Sequence, residues 1–360
     1  MTNNSRLIKY DIVRTIAIFM VILCHATEAI YGMDLNSWQS LNLINKLFMI
    51  GAFTIGRLGV PLFLFLTGTL NLKKNISSKD EINHFYIHNL LPLFIVHVSW
   101  VFIYNFYFYI ANITSTISIY NIFKEILFLK LVPLNHYWYI PMILSIYFAI
   151  PFISYIIHRI NISNLKPILY FMFYVGFVIP FLNTTFLIFG INETFNTHLM
   201  SVSLGGTYGL YIILGYIISN RKSTKNVLNF ILFFTAFLLM CMFETISYRS
   251  GIYVYNVWYD FPLLLICSLY LYNFLININY DKLNIKLANI IKYISVTSFF
   301  MYFCHFLLIK IFENKFLLLN IPFICKTLLL FLFISTISIV LGSFLKHIKP
   351  LKKYVMGIKH

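Results

Sequence analysis

Apolar windows of about 20 residues, each long enough to cross a bilayer core as a helix, recur along this chain with little between them. They fall at 10–31, 47–71, 86–110, 137–158, 167–189, 202–219, 227–246, 255–277, 292–313 and 321–345. With 60% hydrophobic and 11% charged residues and a mean hydropathy of +0.82, the 360-residue chain has too little polar surface for a water-soluble domain. The expectation is an all-α polytopic membrane bundle of about ten transmembrane helices, one domain over 1–360 with its core at 6–345 and a short basic tail at 346–360. An even number of spans returns both termini to one side. Eighteen Lys and Arg residues, among them Lys73, Lys74, Arg159, Arg221, Lys292 and Lys352, fall on that side and six on the other, so both ends are expected in the cytoplasm of a cell-membrane protein. The net charge of +16 sits in short clusters between spans. It reads as topology and membrane-lipid contact, and no nucleic-acid partner is expected.

The first run, YDIVRTIAIFMVILCHATEAIY from Tyr10 to Tyr31, carries Asp11, Arg14, His25 and Glu28. Ionisable groups in hydrocarbon cost several kcal/mol each, so they must face something polar. At about 100° per residue the four fall within roughly one 100° wedge, with Arg14 and His25 offset by about 20° and separated by about 16 Å along the axis. This stripe is expected to wall a buried tunnel. The run is a full span with charges inside it and no A-x-A site after it, so it is not expected to be a cleaved signal peptide.

Other polar residues inside spans are weighed against the same cost. His305 lies about as far into the ninth window as His25 lies into the first, which puts both imidazoles at similar depth. Arg57, in GAFTIGRLGVPLFLFLTGTL, needs a carboxylate, carbonyls, water or an anion; Asp11, Glu28 and Glu244 are the acidic partners in reach of a structural reading. Gly56, Gly59, Pro61 and Gly68 in that span allow a kinked or broken helix. His136 and Trp138 open the fourth span, where an aromatic belt is the ordinary account and an acceptor-binding mouth the functional one. Glu244, Asn256 and Asp260 lie near the outer face, where solvation accounts for them unless they line a site. His84, His88 and His97 receive no role. The mixed segment YNIFKEILFLKLVPL between the third and fourth spans suits an interfacial helix that lids the outer mouth, and the basic tail suits contact with anionic headgroups. Five cysteines without paired spacing, Cys24, Cys241, Cys267, Cys304 and Cys325, read as small buried hydrophobes. Neighbours on a helix point about 100° apart, so Cys24 with His25 and Cys304 with His305 are not expected to form ligand pairs, and no metal site is expected.

On these residues the chain resembles the acyltransferase-3 family of membrane acyltransferases, which includes bacterial O-acetyltransferases of surface polysaccharides. The arginine followed by a histidine in YDIVRTIAIFMVILCHA is the strongest marker. RLGVPLFLFLTGTL at 57–70, HYWYIPMILSIYFAIPFI at 136–153 and SFFMYFCHFLLI at 298–309 follow in the family's order, and the likeness runs from about Arg6 to Ser343. Two features depart from the pattern: HFYIHNLLP stands where the third span often carries a basic cluster, and Phe306 stands where a proline usually follows the late histidine. The resemblance implies transfer of an acyl group, usually acetyl, from cytoplasmic acyl-coenzyme A to a hydroxyl or amine of an extracytoplasmic sugar or lipid-linked glycan, with no bound cofactor. It makes His25 the proton acceptor or acyl carrier, Arg14 a donor-binding group held by Asp11, and Arg57 an oxyanion or donor-positioning group, with His305 and Tyr302 on the opposite wall and Glu28, His136, Trp138 and Glu244 lining the site. Two other classes fit a charged midplane: a transporter or flippase, and a haem protein using His25 and His305 as axial ligands.

Overall fold

The computed structural model describes residues 8–191, 195, 206–221, 226–251 and 257–358. Arg6, Asn192, Asn196, Lys222, Lys225, Asn256 and Lys359 lie outside them. Among the described residues there is no strand, and eight helices are long and apolar enough to cross a membrane: Ile8–Tyr31, Leu43–Asn71, Lys79–Ile110, Asn135–Arg159, Ile162–Ile188, Asn226–Arg249, Ile285–Leu317 and Phe323–Leu345. Two shorter apolar helices, Gly206–Ser219 and Pro262–Asn277, occupy the places of the sixth and eighth windows. The eighth helix begins later than hydropathy suggests because Pro262 sits in its first turn, where its missing N–H costs nothing. The irregular stretch Val257–Phe261 before it is mostly buried in protein, the one setting in which non-helical backbone is tolerated at membrane depth.

The first span is the hub. It packs along the ninth span and also touches the second, eighth and tenth. Close approach to the second span depends on two glycines: a Cβ on Gly56 would lie 2.7 Å from Cys24 Cβ, and one on Gly59 would lie 2.6 Å from the Ala17 carbonyl oxygen. These glycines therefore serve helix contact rather than bending. The break in that span falls at Leu58, between helical segments ending at Arg57 and starting at Gly59, because Pro61 offers no N–H to the Arg57 carbonyl. Pro92 acts similarly in the third span, which passes through a π-helical turn at Tyr86–Leu90.

Local capping explains the connections. Asn42 accepts from the Asn45 backbone N–H at 2.9 Å to start the second span, and Ser78 with Glu81 forms a capping box before the third. The connection to the fourth span holds a helix at Ile119–Ile126 that buries Ile122 and Glu125 and exposes Ile119, Tyr120 and Phe123. His97, fully buried in the third span, ties this helix down: its Nε2–H donates to the Ile126 carbonyl at 3.2 Å while the Tyr137 hydroxyl donates to Nδ1 at 2.6 Å. The basic tail keeps Lys346, His347, Lys349 and Lys353 exposed while its apolar end turns back onto the bundle. After a helix at Lys349–Tyr354, the Trp100 indole N–H donates to the Val355 carbonyl at 3.0 Å and Met356 is buried in the bundle.

Candidate active site

Pairing of the parallel first and ninth spans places the polar stripe inside the bundle. Near the end where both helices begin, Ser295 Oγ donates to Asp11 Oδ1 at 2.6 Å and Arg14 Nη1 donates to Ser295 Oγ at 3.0 Å, with the guanidinium nitrogen 3.8 Å from the carboxylate. Thr15 Oγ1 donates to the Ile291 carbonyl at 3.2 Å. Asp11 is buried, whereas the Arg14 side chain keeps 27% of its surface. That surface faces two hollows. One is a vestibule of about 700 Å³ whose walls include Arg14, His88, Asn89 and Ser295. The other is an inner cavity of about 180 Å³ reaching from Arg14 and Asn71 to Tyr139 and Tyr302.

Tyr302 also lines a third, small space of about 20 Å³, with His25, Arg57, His136 and Trp138 around it. Two imidazoles line it, and that of His305 packs behind both. Ring centroids lie 5.3 Å apart for His25 and His305, 5.4 Å for His136 and His305, and 6.3 Å for His25 and His136. Phe306, in place of the family's proline, stacks on His136 at 4.5 Å. Hydrogen bonds fix the tautomers. His25 Nδ1 lies 2.5 Å from Glu28 Oε2, so it carries the proton and leaves Nε2 with the lone pair. His305 Nδ1–H donates to the Met301 carbonyl at 3.1 Å, leaving its buried Nε2 without a protein partner. The Tyr104 hydroxyl gives its proton to the Phe303 carbonyl at 2.7 Å, so His136 Nε2–H donates to that oxygen at 3.3 Å and the buried His136 Nδ1 is a bare acceptor. Two orphaned acceptors and one carboxylate-oriented imidazole thus converge on a site shaped to take a proton.

Arg57 takes a backbone carbonyl, one of the partner types its buried position calls for. Its Nε–H donates to the Val257 carbonyl at 3.0 Å, and its guanidinium carbon lies 4.4 Å from the Trp258 ring centre, 4.7 Å from that of Tyr259 and 5.3 Å from that of Phe53. The aromatic rings hold the charge at the rim of the histidine space. Glu244 is not solvated: it is buried in the seventh span, within electrostatic range of Arg57, but it does not line the histidine space. Asp260 is half-buried. Cys24 corrects another expectation. Because Glu28 comes back over the preceding turn, ligating atoms of Cys24, His25 and Glu28 all lie within 4.8 Å of one another, although Glu28 is already committed to His25 Nδ1.

Ser295 and Asn89 carry no readable signal in the chain and His88 receives no role there, whereas Tyr302 is expected on the wall opposite the first span. Ser295 couples Asp11 to Arg14 across 281 residues of sequence. Tyr302 donates to the His136 carbonyl at 2.5 Å and packs on Tyr139 at 4.9 Å between ring centres, forming the partition between the inner cavity and the histidine space. His88 and Asn89 sit in the π-helical turn where the family's basic cluster would be, and they reach the vestibule. The His25 and His305 rings lie 5.3 Å apart between centres and face each other directly, which leaves no room for a porphyrin between them and speaks against the haem reading.

A family model for the acyltransferase-3 group, described as an acyltransferase domain, matches residues 7–347. No curated protein and no solved structure gives a match.

Proposed function

Given that the chain belongs to the acyltransferase-3 family and is a multi-pass membrane acyltransferase, we propose that it moves an acetyl group from coenzyme A on the side where Ile8 lies, the cytoplasm, to a sugar hydroxyl or amine on the opposite side. The observation that carries this reading is the succession of vestibule, inner cavity and histidine space, joined through Arg14 and then Tyr302, along about 16 Å of the first span. A thioester arm threaded past Arg14 would bring its carbonyl to His25. As the acceptor oxygen attacks, its proton passes to His25 Nε2 and the new C–O bond forms. The tetrahedral oxyanion faces the caged Arg57 charge, worth several kcal/mol where water is excluded. Collapse breaks the C–S bond, and the departing thiolate takes the proton from the imidazolium. Glu28 holds the ring in the right tautomer throughout. His136 and Trp138 form the acceptor's wall.

Acetyl transfer from radiolabelled acetyl-coenzyme A in membranes, with a panel of polymeric and lipid-linked glycans, tests the reading. His25→Ala should abolish transfer while the protein still purifies as a folded species. Turnover near the wild-type rate in that variant removes His25 from the chemistry.

A further inference from the structure

The segment after the tenth span builds a second basic hollow that the scheme above does not use. Its fold-back is seated firmly: Gly357 has φ of +66°, and a Cβ there would meet Val96 at 3.1 Å and Phe299 at 3.4 Å, so the turn lies between the third and ninth spans. This brings Lys346 and Lys352 beside Lys292 of the ninth span. With Asn289 and His347 the three lysines line a hollow of about 440 Å³, and none of its lining residues is acidic. Lys346 Nζ lies 4.8 Å from the Tyr293 ring centre, which holds that side chain against the wall. Val296 and Ile358 belong both to this hollow and to the Arg14 vestibule, so the two share a wall. Like charges gathered in a concavity repel one another unless an anion fills it.

We propose that this hollow is a phosphate-binding subsite, in which Lys292, Lys346 and Lys352 hold the phosphorylated nucleotide end of the donor while its acyl-bearing arm passes through the vestibule towards His25. The assignment rests on the coenzyme A donor of the preceding subsection. It gives the basic segment a direct part in donor capture and leaves Arg14 to meet the arm deeper in the bundle. Lysine suits a mobile set of phosphates because it acts as a point charge without the planar demands of arginine.

The test is calorimetric titration of the full chain, in nanodiscs of zwitterionic lipid, with adenosine 3′,5′-bisphosphate as probe. Saturable binding is expected, weakening at least about tenfold when Lys292, Lys346 and Lys352 are all changed to alanine, since each lost contact is a charge-assisted hydrogen bond. The triple arginine variant should bind within about threefold of wild type, and Lys282→Ala, outside the hollow, should leave affinity unchanged. Lys352→Gln alone should weaken binding by about threefold or more and carries the test if the triple alanine variant does not fold. Equal affinity in the alanine variant and wild type overturns the proposal. So does the absence of nucleotide binding combined with lysine-dependent retention of phosphatidylglycerol, which would make the hollow a lipid headgroup site. Lysine-dependent nucleotide binding without any acetyl transfer would leave the subsite standing and defeat the donor reaction. His25-dependent transfer with lysine-independent binding would do the reverse.

Discussion

Replacing Glu28 with glutamine changes one atom group and interrogates the orientation of the central imidazole. The carboxylate oxygen lies 2.5 Å from His25 Nδ1, a short contact between a ring N–H and an anionic acceptor. Hydrogen bonds of that kind contribute about 1.5–3 kcal/mol. Since about 1.4 kcal/mol is a factor of ten in rate, loss of the orienting bond alone predicts a kcat lower by roughly 10- to 150-fold. The amide can also turn its NH2 group towards Nδ1, which would move the ring proton to Nε2 and remove the base altogether, so the upper part of that range is the expected one. The donor KM should stay within about twofold, because Arg14 and the vestibule are about four helical turns away. Initial rates of acetyl transfer at saturating acceptor, measured with the protein in nanodiscs, give both parameters. A kcat within about twofold of wild type would refute the assignment of Glu28 as the residue that orients His25.

Other expectations follow from the same geometry. Arg14→Lys keeps the charge but cannot preserve the fork that spans Ser295 and the vestibule, so the donor KM should rise by about tenfold or more; wild-type donor affinity in a direct binding assay would contradict it. Gly56→Ala places a methyl 2.7 Å from Cys24 Cβ and should cost about 1–3 kcal/mol, read as a lower thermal unfolding midpoint in detergent, with an unchanged midpoint counting against the helix-contact role. Glu125, outside the spans, has its carboxyl raised above the ordinary range by burial, despite the hydrogen bond from Asn105 at 2.7 Å. The folded state therefore holds that proton more tightly than the unfolded chain. Docking of Ile119–Ile126 should be strongest at low pH and weaken as pH climbs from about 4.3 through the raised folded value. Hydrogen exchange across 119–130, corrected for its intrinsic pH dependence, should show this loss of protection, and Glu125→Gln should flatten it.

The sequence carried a good deal of this architecture because membrane burial makes each polar residue conspicuous. The Arg14 and His25 stripe and ten apolar runs follow from hydropathy and helical period, although only eight of the runs are long helices and period gives His25 and His305 a similar depth without their contact. Period and composition say nothing about which helices touch. Ser295 reads as one more small residue in an apolar run until the ninth span is laid beside the first, and the second-span glycines look like a hinge until Cys24 and Ala17 are seen pressed against them. Arg57 needed a partner on any account, and those it finds include the Val257 carbonyl and the Trp258 and Tyr259 rings of an irregular stretch that hydropathy assigned to a helix. In the tail the lysines at 346, 349 and 353 stay exposed, and it is Val355 and Met356, apolar and few, that decide where its end packs.

Sealed vesicles of uniform orientation provide the most direct measurement, with radiolabelled acetyl-coenzyme A supplied only on the side of Ile8 and the acceptor glycan only on the other. Acetylated glycan should accumulate in the acceptor compartment with wild-type protein and not with His25→Ala. Product formed only when donor and acceptor share a compartment would contradict a route that runs from Arg14 to His25 through the bundle.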